Sequence, residues 1–76
     1  MSWNYRIVDI AADDELPIYE IREVYYNKNG NPFGHSDATI VGESSSEMKE
    51  VMELMELAFK KPILMASVDF EHDYDD

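Results

Sequence analysis

A small α+β domain, built as a three-stranded antiparallel sheet with one C-terminal helix packed on one face, is predicted by three patterns met in order along the chain. Period-two alternation opens the sequence and returns after an acidic interruption. An Asn- and Gly-rich turn follows, and a capped stretch with a helical apolar repeat closes the series. The expected order is β-β-β-α, with a short terminal edge strand as an open addition.

In Trp3-Asn4-Tyr5-Arg6-Ile7-Val8-Asp9-Ile10, Trp3, Tyr5 and Ile7 share one face while Asn4 and Arg6 take the other, which predicts the first strand. Asp13, Asp14 and Glu15, ahead of Leu16-Pro17, resist pairing and predict an exposed loop. Between Ile18 and Tyr26 the β-branched and aromatic residues return, with Tyr19, Ile21 and Tyr25 facing one way and Ile18, Val24 and Tyr26 the other. This segment is expected to be the central strand, partly covered on both sides. Asn27-Lys28-Asn29-Gly30-Asn31-Pro32 predicts a hairpin turn, because Asn and Gly accept positive φ. Pro32 has no amide hydrogen, so the third strand is expected to begin near Phe33, to run irregularly to Val41 and to lie at an edge.

Ser44 and Glu47 have the spacing of a capping box and predict a helix start. Met48, Val51, Met52, Met55, Ala58 and Phe59 then follow the i, i+3, i+4, i+7 rule. Leu54 widens that stripe and Leu57 falls off it, so one broad face is expected to pack on the sheet. Lys60 and Lys61 complement the negative end of the helix dipole, and Pro62 disfavours helical geometry at Lys61. Ile63 to Phe70 fits a short edge strand or an extended packed arm equally well. Residues 1–70 are expected to form one domain, and 71–76 an acidic tail too charged to bury.

Seventeen Asp and Glu against six Lys and Arg give a formal charge of -11, which limits the partners that tolerate this surface. A chain of this size buries only about 60–65% of the surface its unfolded form exposes, so its stability margin is thin. The absence of cysteine removes disulfides, thiolate chemistry and the usual zinc cages. An apolar content of 45% with 12% aromatics argues for a folded chain. Its longest apolar stretch, Ile63 to Val68, falls far short of the roughly 20 residues of a membrane span, and no basic n-region precedes an apolar start. A cytoplasmic protein without membrane contact is the expectation. Direct nucleic-acid binding is disfavoured too, because it depends on clustered Lys and Arg and here they are scattered.

His35-Ser36-Asp37 holds the residue types of a hydrolase triad, but neighbours on a strand alternate in direction and cannot converge. The expected reading is a polar edge strand in which Asp37 raises the pKa of His35. His72 lies far along the chain from His35, and the acidic runs lack the spaced oxygens of a calcium loop. No phosphate-cradling glycine motif occurs. Paired-carboxylate chemistry needs a cleft that a domain this small rarely encloses. No catalytic residue, metal, cofactor or small-molecule ligand is therefore expected.

Glu47, Glu50, Glu53 and Glu56 recur every three residues and form a slanted negative stripe, each step advancing about 4.5 Å along the helix. Glu56 with Lys60 and Lys49 with Glu53 are expected to pair at i, i+4. Such a run commonly means a solvated face. Its sharper meaning is imitation of a phosphate backbone, as in an acidic decoy that inhibits a nucleic-acid-binding protein in phage and host conflict.

Trp3-Asn4-Tyr5-Arg6, Glu23-Val24-Tyr25-Tyr26, Asn29-Gly30-Asn31-Pro32, Ser44 to Glu47 and Lys61-Pro62-Ile63-Leu64 together resemble a group of small bacterial proteins of uncharacterised function. The resemblance covers most of residues 3 to 64. It implies no site residues, because the group has no established activity, and Leu64 to Asp76 lies largely outside the pattern. The expected role is binding to a protein partner or a second copy, through the uncovered sheet face or the third strand. Trp3, Tyr19, Tyr25 and Tyr26 are the candidate contact residues, with Glu47, Glu50, Glu53 and Glu56 as the acidic ones.

Overall fold

The computed structural model describes residues 2–12 and 14–71; Asp13 and most of the acidic tail, His72 included, lie outside the described residues. The fold is α+β, with β1 (Ser2–Asp9), β2 (Tyr19–Tyr26), β3 (Pro32–Asp37), α1 (Ser45–Glu56), a 3-10 turn (Leu57–Lys60) and β4 (Leu64–Met65). The strands form one sheet in the order β3-β2-β1-β4. β1 and β3 flank β2 antiparallel, and β4 runs parallel to β1, pairing Val8 with Leu64 and Asp9 with Met65.

The three antiparallel strands are joined by a short edge strand, one of the two readings of Ile63 to Phe70, which runs parallel to β1 and makes the sheet four-stranded and mixed. Pro62 forces extended geometry on Lys61, and the chain then drops in beside β1. β4 stops after two residues because Asp69 bends the chain back on it: the Met65 amide donates to Asp69 Oδ2 at 2.7 Å, and the Asp69 amide to the Met65 carbonyl at 2.8 Å. β3 lies at an edge as predicted but ends at Asp37, short of Val41.

Loops at both ends of the β1–β2 pair are held by side-chain caps. Asp9 Oδ1 accepts from the amides of Ala11 and Ile18, closing the acidic loop. Asn27 Oδ1 accepts from the amides of Asn29 and Asn31, and Gly30 adopts the positive φ of 84° that the hairpin requires. The side chains of Asn27 and Asn31 each donate to one carboxylate oxygen of Glu71 at 2.7 Å, and the Glu71 amide donates to the Pro32 carbonyl. Glu71 is therefore tied to the hairpin, although it was expected to fray with the tail.

Cross-strand partners share a face, so the register sorts the sheet. Asn4, Arg6 and Val8 of β1 stand with Val24, Arg22 and Glu20 of β2 and with His35 and Asp37 of β3. On this face Val8 and Val24 are fully buried. Arg6 reaches from it to the Pro62 carbonyl, and Phe70 lies against His35. The reverse face carries Trp3, Tyr5 and Ile7 opposite Tyr25, Glu23 and Ile21, and none of these residues is buried.

Ser44 caps α1, its Oγ accepting from the Glu47 amide, while the Glu47 carboxylate reaches back to the Glu43 amide. That reach-back lands one residue before the position a capping box uses. Gly42 permits this entry, since a Cβ there would lie 2.8 Å from Glu47 Cβ and 3.1 Å from the Met48 amide nitrogen.

The helix packs along β1 on a narrow line, burying Met55 and Ala58, with Val51 half-buried. This corrects the expectation of one broad packed face. Met52 and Phe59 stay 53% and 67% exposed, and Met48 and Leu54 are exposed as well. A cylinder on a small sheet touches along one line, and the switch to 3-10 winding after Glu56 changes the angle at which later side chains project.

Replacing Val24 with alanine is expected to cost about 2 kcal/mol in urea unfolding, the lost methyls plus the cavity they leave. Met52→Ala should change stability by less than about 0.5 kcal/mol. Equal losses would show that the core lies elsewhere. Glu71→Ala should speed amide exchange at Gly30 and Asn27 without changing that of Val8 and Val24, since it frees the hairpin alone.

Candidate functional site

Three of the four aromatic candidates lie on the open sheet face, Trp3 and Tyr25 as cross-strand neighbours and Tyr19 at the other end of the strand pair. Trp3 sits opposite Tyr25 and packs edge-on against Tyr5, with ring centroids 5.1 Å apart at 88°. The Tyr25 hydroxyl bonds both Glu23 Oε1 at 2.9 Å and Ser36 Oγ at 2.7 Å, which fixes its ring flat along the face. Tyr19 stands at the far end opposite Asp9. Trp3 is 51% and Tyr19 58% exposed, a large aromatic area for an unpaired surface. Desolvation, then the neighbouring Glu23 charge, raises the Tyr5 pKa above its ordinary value, so this face carries a neutral phenol.

Tyr26 belongs to the covered face. Its hydroxyl donates to Asn4 Oδ1 at 2.7 Å and accepts from Arg6 Nη1 at 2.9 Å, while Arg6 Nη2 donates to the Pro62 carbonyl at 2.7 Å. The segments Trp3 to Arg6, Glu23 to Tyr26 and Lys61-Pro62 thus meet around one guanidinium. Sequence reading had no signal for this convergence, because the partners lie 20 or more residues apart.

An open groove of about 480 Å³ lies where β1 meets the end of the helix, lined by Trp3, Asn4, Tyr5, Leu54, Leu57 and Lys61. Leu57, which falls off the apolar stripe, acquires a place here as the far wall. The groove forms because β4 pairs only with Val8 and Asp9, which leaves the outer side of Trp3 to Tyr5 without a strand.

Glu47, Glu50, Glu53 and Glu56 are all exposed along α1, and Glu47 also serves the cap. Among the described residues the ion pairs belong to Arg22, with Glu20 at 2.7 Å and Asp37 at 2.9 Å. The expected pairs Glu56–Lys60 and Lys49–Glu53 do not form. Lys60 lies in the 3-10 turn, where i, i+4 stacking is lost, and Lys49–Glu53 has the weaker Lys-first orientation.

His35 and Asp37 share the covered face while Ser36 bonds Tyr25 on the other, so the three side chains diverge. Arg22 Nε donates to His35 Nδ1 at 2.7 Å, which places the imidazole proton on Nε2. Burial, followed by the Arg22 charge, holds the His35 pKa below its ordinary 6.5, with Glu20 pulling the other way. The expected upward shift from Asp37 is absent because Asp37 pairs with Arg22 instead.

Compared with known protein families, with curated proteins and with solved structures, the chain matches none.

The depressed His35 pKa makes the unfolded chain the stronger proton binder near pH 6, so this residue's contribution is fully present above pH 6.5 and is lost as pH falls below it. Wild type should therefore lose stability relative to His35→Gln between pH 7.5 and pH 5.5 in urea titrations, Gln being able to accept from Arg22 without titrating. A constant difference across that window would refute the assignment.

Proposed function

We propose that this protein is a non-enzymatic interaction module whose role is to bind another macromolecule, with a protein partner as the target. One observation carries the reading: among the described residues four apolar ones are buried, while Trp3, Tyr19, Met48, Met52, Leu54, Leu57 and Phe59 stand exposed with other large hydrophobics. Of these, Trp3, Leu54 and Leu57 line one groove together, and adjoining aromatic and aliphatic residues favour an interface where isolated ones carry no information. The aromatic side chains on the open face are stiffened by edge-on packing and by the Tyr25 hydrogen bonds. Such prepaid order lowers the entropy cost of docking.

A second reading, the acidic decoy of a nucleic-acid backbone, is favoured by the helix glutamates, which carry no ion pair among the described residues. It predicts that the protein elutes DNA-binding proteins from DNA-cellulose at low salt and fails to do so at high salt. Elution of nothing at either salt removes it.

The module is tested by affinity capture from bacterial lysate with wild type and Trp3→Ser side by side. A protein retained by wild type at high salt and lost with Trp3→Ser is the expected result, since salt spares an apolar interface. Identical capture by both, or none by either, overturns the reading.

A further inference from the structure

The geometry points to the groove between β1 and the end of α1 as the docking site for a lysine- or arginine-rich amphipathic segment of another protein, which seats one apolar side chain between Trp3, Tyr5, Leu54 and Leu57. This rests on the reading of the protein as an interaction module and names the chemistry of its partner. The groove volume of about 480 Å³ falls within the roughly 300–1,000 Å³ of ligand-sized clefts, and its walls are mainly apolar. Leu54 and Leu57 are both exposed there, although each directly precedes a buried residue, Met55 and Ala58.

Charge selects the occupant. Glu50 stands one turn before Leu54 and borders the apolar wall, while Glu53 lines the adjoining hollow with Lys49, Met52 and Glu56; neither carboxylate has an ion pair among the described residues. Among the described residues Lys61 is the single cation lining the groove. A second copy would bring another body of charge -11 to this border and set its glutamates against these. A basic segment gains attraction from the same field and buries the leucines without that repulsion.

Trp3 is the one tryptophan of the chain and lines the groove, so its emission reports occupancy directly. The probes are two synthetic amphipathic peptides of equal length and identical leucine pattern, both lacking tryptophan, one lysine-rich and one glutamate-rich. The lysine peptide should shift Trp3 emission to the blue saturably, and the glutamate peptide should not. Leu54→Ala with Leu57→Ala should weaken binding by about tenfold or more, as truncating a central anchor does. Met52→Ala, which lines the adjoining hollow and not the groove, should leave it unchanged. Glu50→Lys with Glu53→Lys alters only exposed positions and should exchange the preference between the peptides, which keeps the test decisive if the leucine variant fails to fold.

An equal response to both peptides, no response to either, or unchanged preference after charge reversal overturns the assignment. A light-scattering mass that doubles together with a blue shift in the protein alone places a second copy in the groove and overturns it as well. If the lysine peptide fails while Trp3-dependent capture from lysate persists, the partner chemistry falls and the module reading stands.

Discussion

One guanidinium ties this fold together. Arg6 rises from the middle of β1, takes the Tyr26 hydroxyl of β2 with one nitrogen and the Pro62 carbonyl with another, and so joins the antiparallel pair to the chain leaving the helix. Its neighbour across the strands is Arg22, a like charge on the same face. The two are tolerated side by side because Arg22 is neutralised by Glu20 and Asp37, while Arg6 is met by neutral oxygens. Where the exit at Pro62 is held determines where the 3-10 turn lies, and hence where Leu57 and Lys61 line the groove. Arg6 Nε has no partner among the described residues, a cost borne within the site that sets the fold's geometry.

The hydrophobic core around this tie is thin. Val8 and Val24 fill the covered face, and Met55 and Ala58 close it from the helix side. Conformational entropy opposes folding in proportion to length, so a core this small leaves a modest margin. The apolar residues left outside are offset in solution by the negative charge, which discourages non-specific association. Charge and exposed apolar surface thus act in opposite directions on self-association: repulsion between like-charged copies opposes the contact that the exposed apolar residues favour.

Basic residues are divided by position. Arg6 and Arg22 lie half-buried in the sheet and are spent on structure, with His35 neutral beside Arg22. The lysines of the helix region stay at the surface without pairing the glutamates beside them. The glutamates of α1 are consequently not neutralised by contact ion pairs among the described residues, while the lysines still contribute their charge to the field of the helix.

Local chemistry was legible wherever neighbours in sequence decide it. Alternation from Trp3 to Asp9 and from Tyr19 to Tyr26, the Gly30 turn and the Ser44 cap follow from steric and hydrogen-bonding preferences that act within a few residues, and each could be read directly. The open reverse face of the sheet was also legible, because one helix cannot cover two sides. Which part of the apolar helix stripe is buried could not be read, since that depends on how a cylinder rests on a sheet of given width. Nor could the pairing of β4 beside β1, the return of Glu71 to the hairpin, or the meeting of Asn4, Arg6, Tyr26 and Pro62. These are contacts between residues far apart in the chain, whose energies add only after the fold has brought them within reach, and no local preference encodes them.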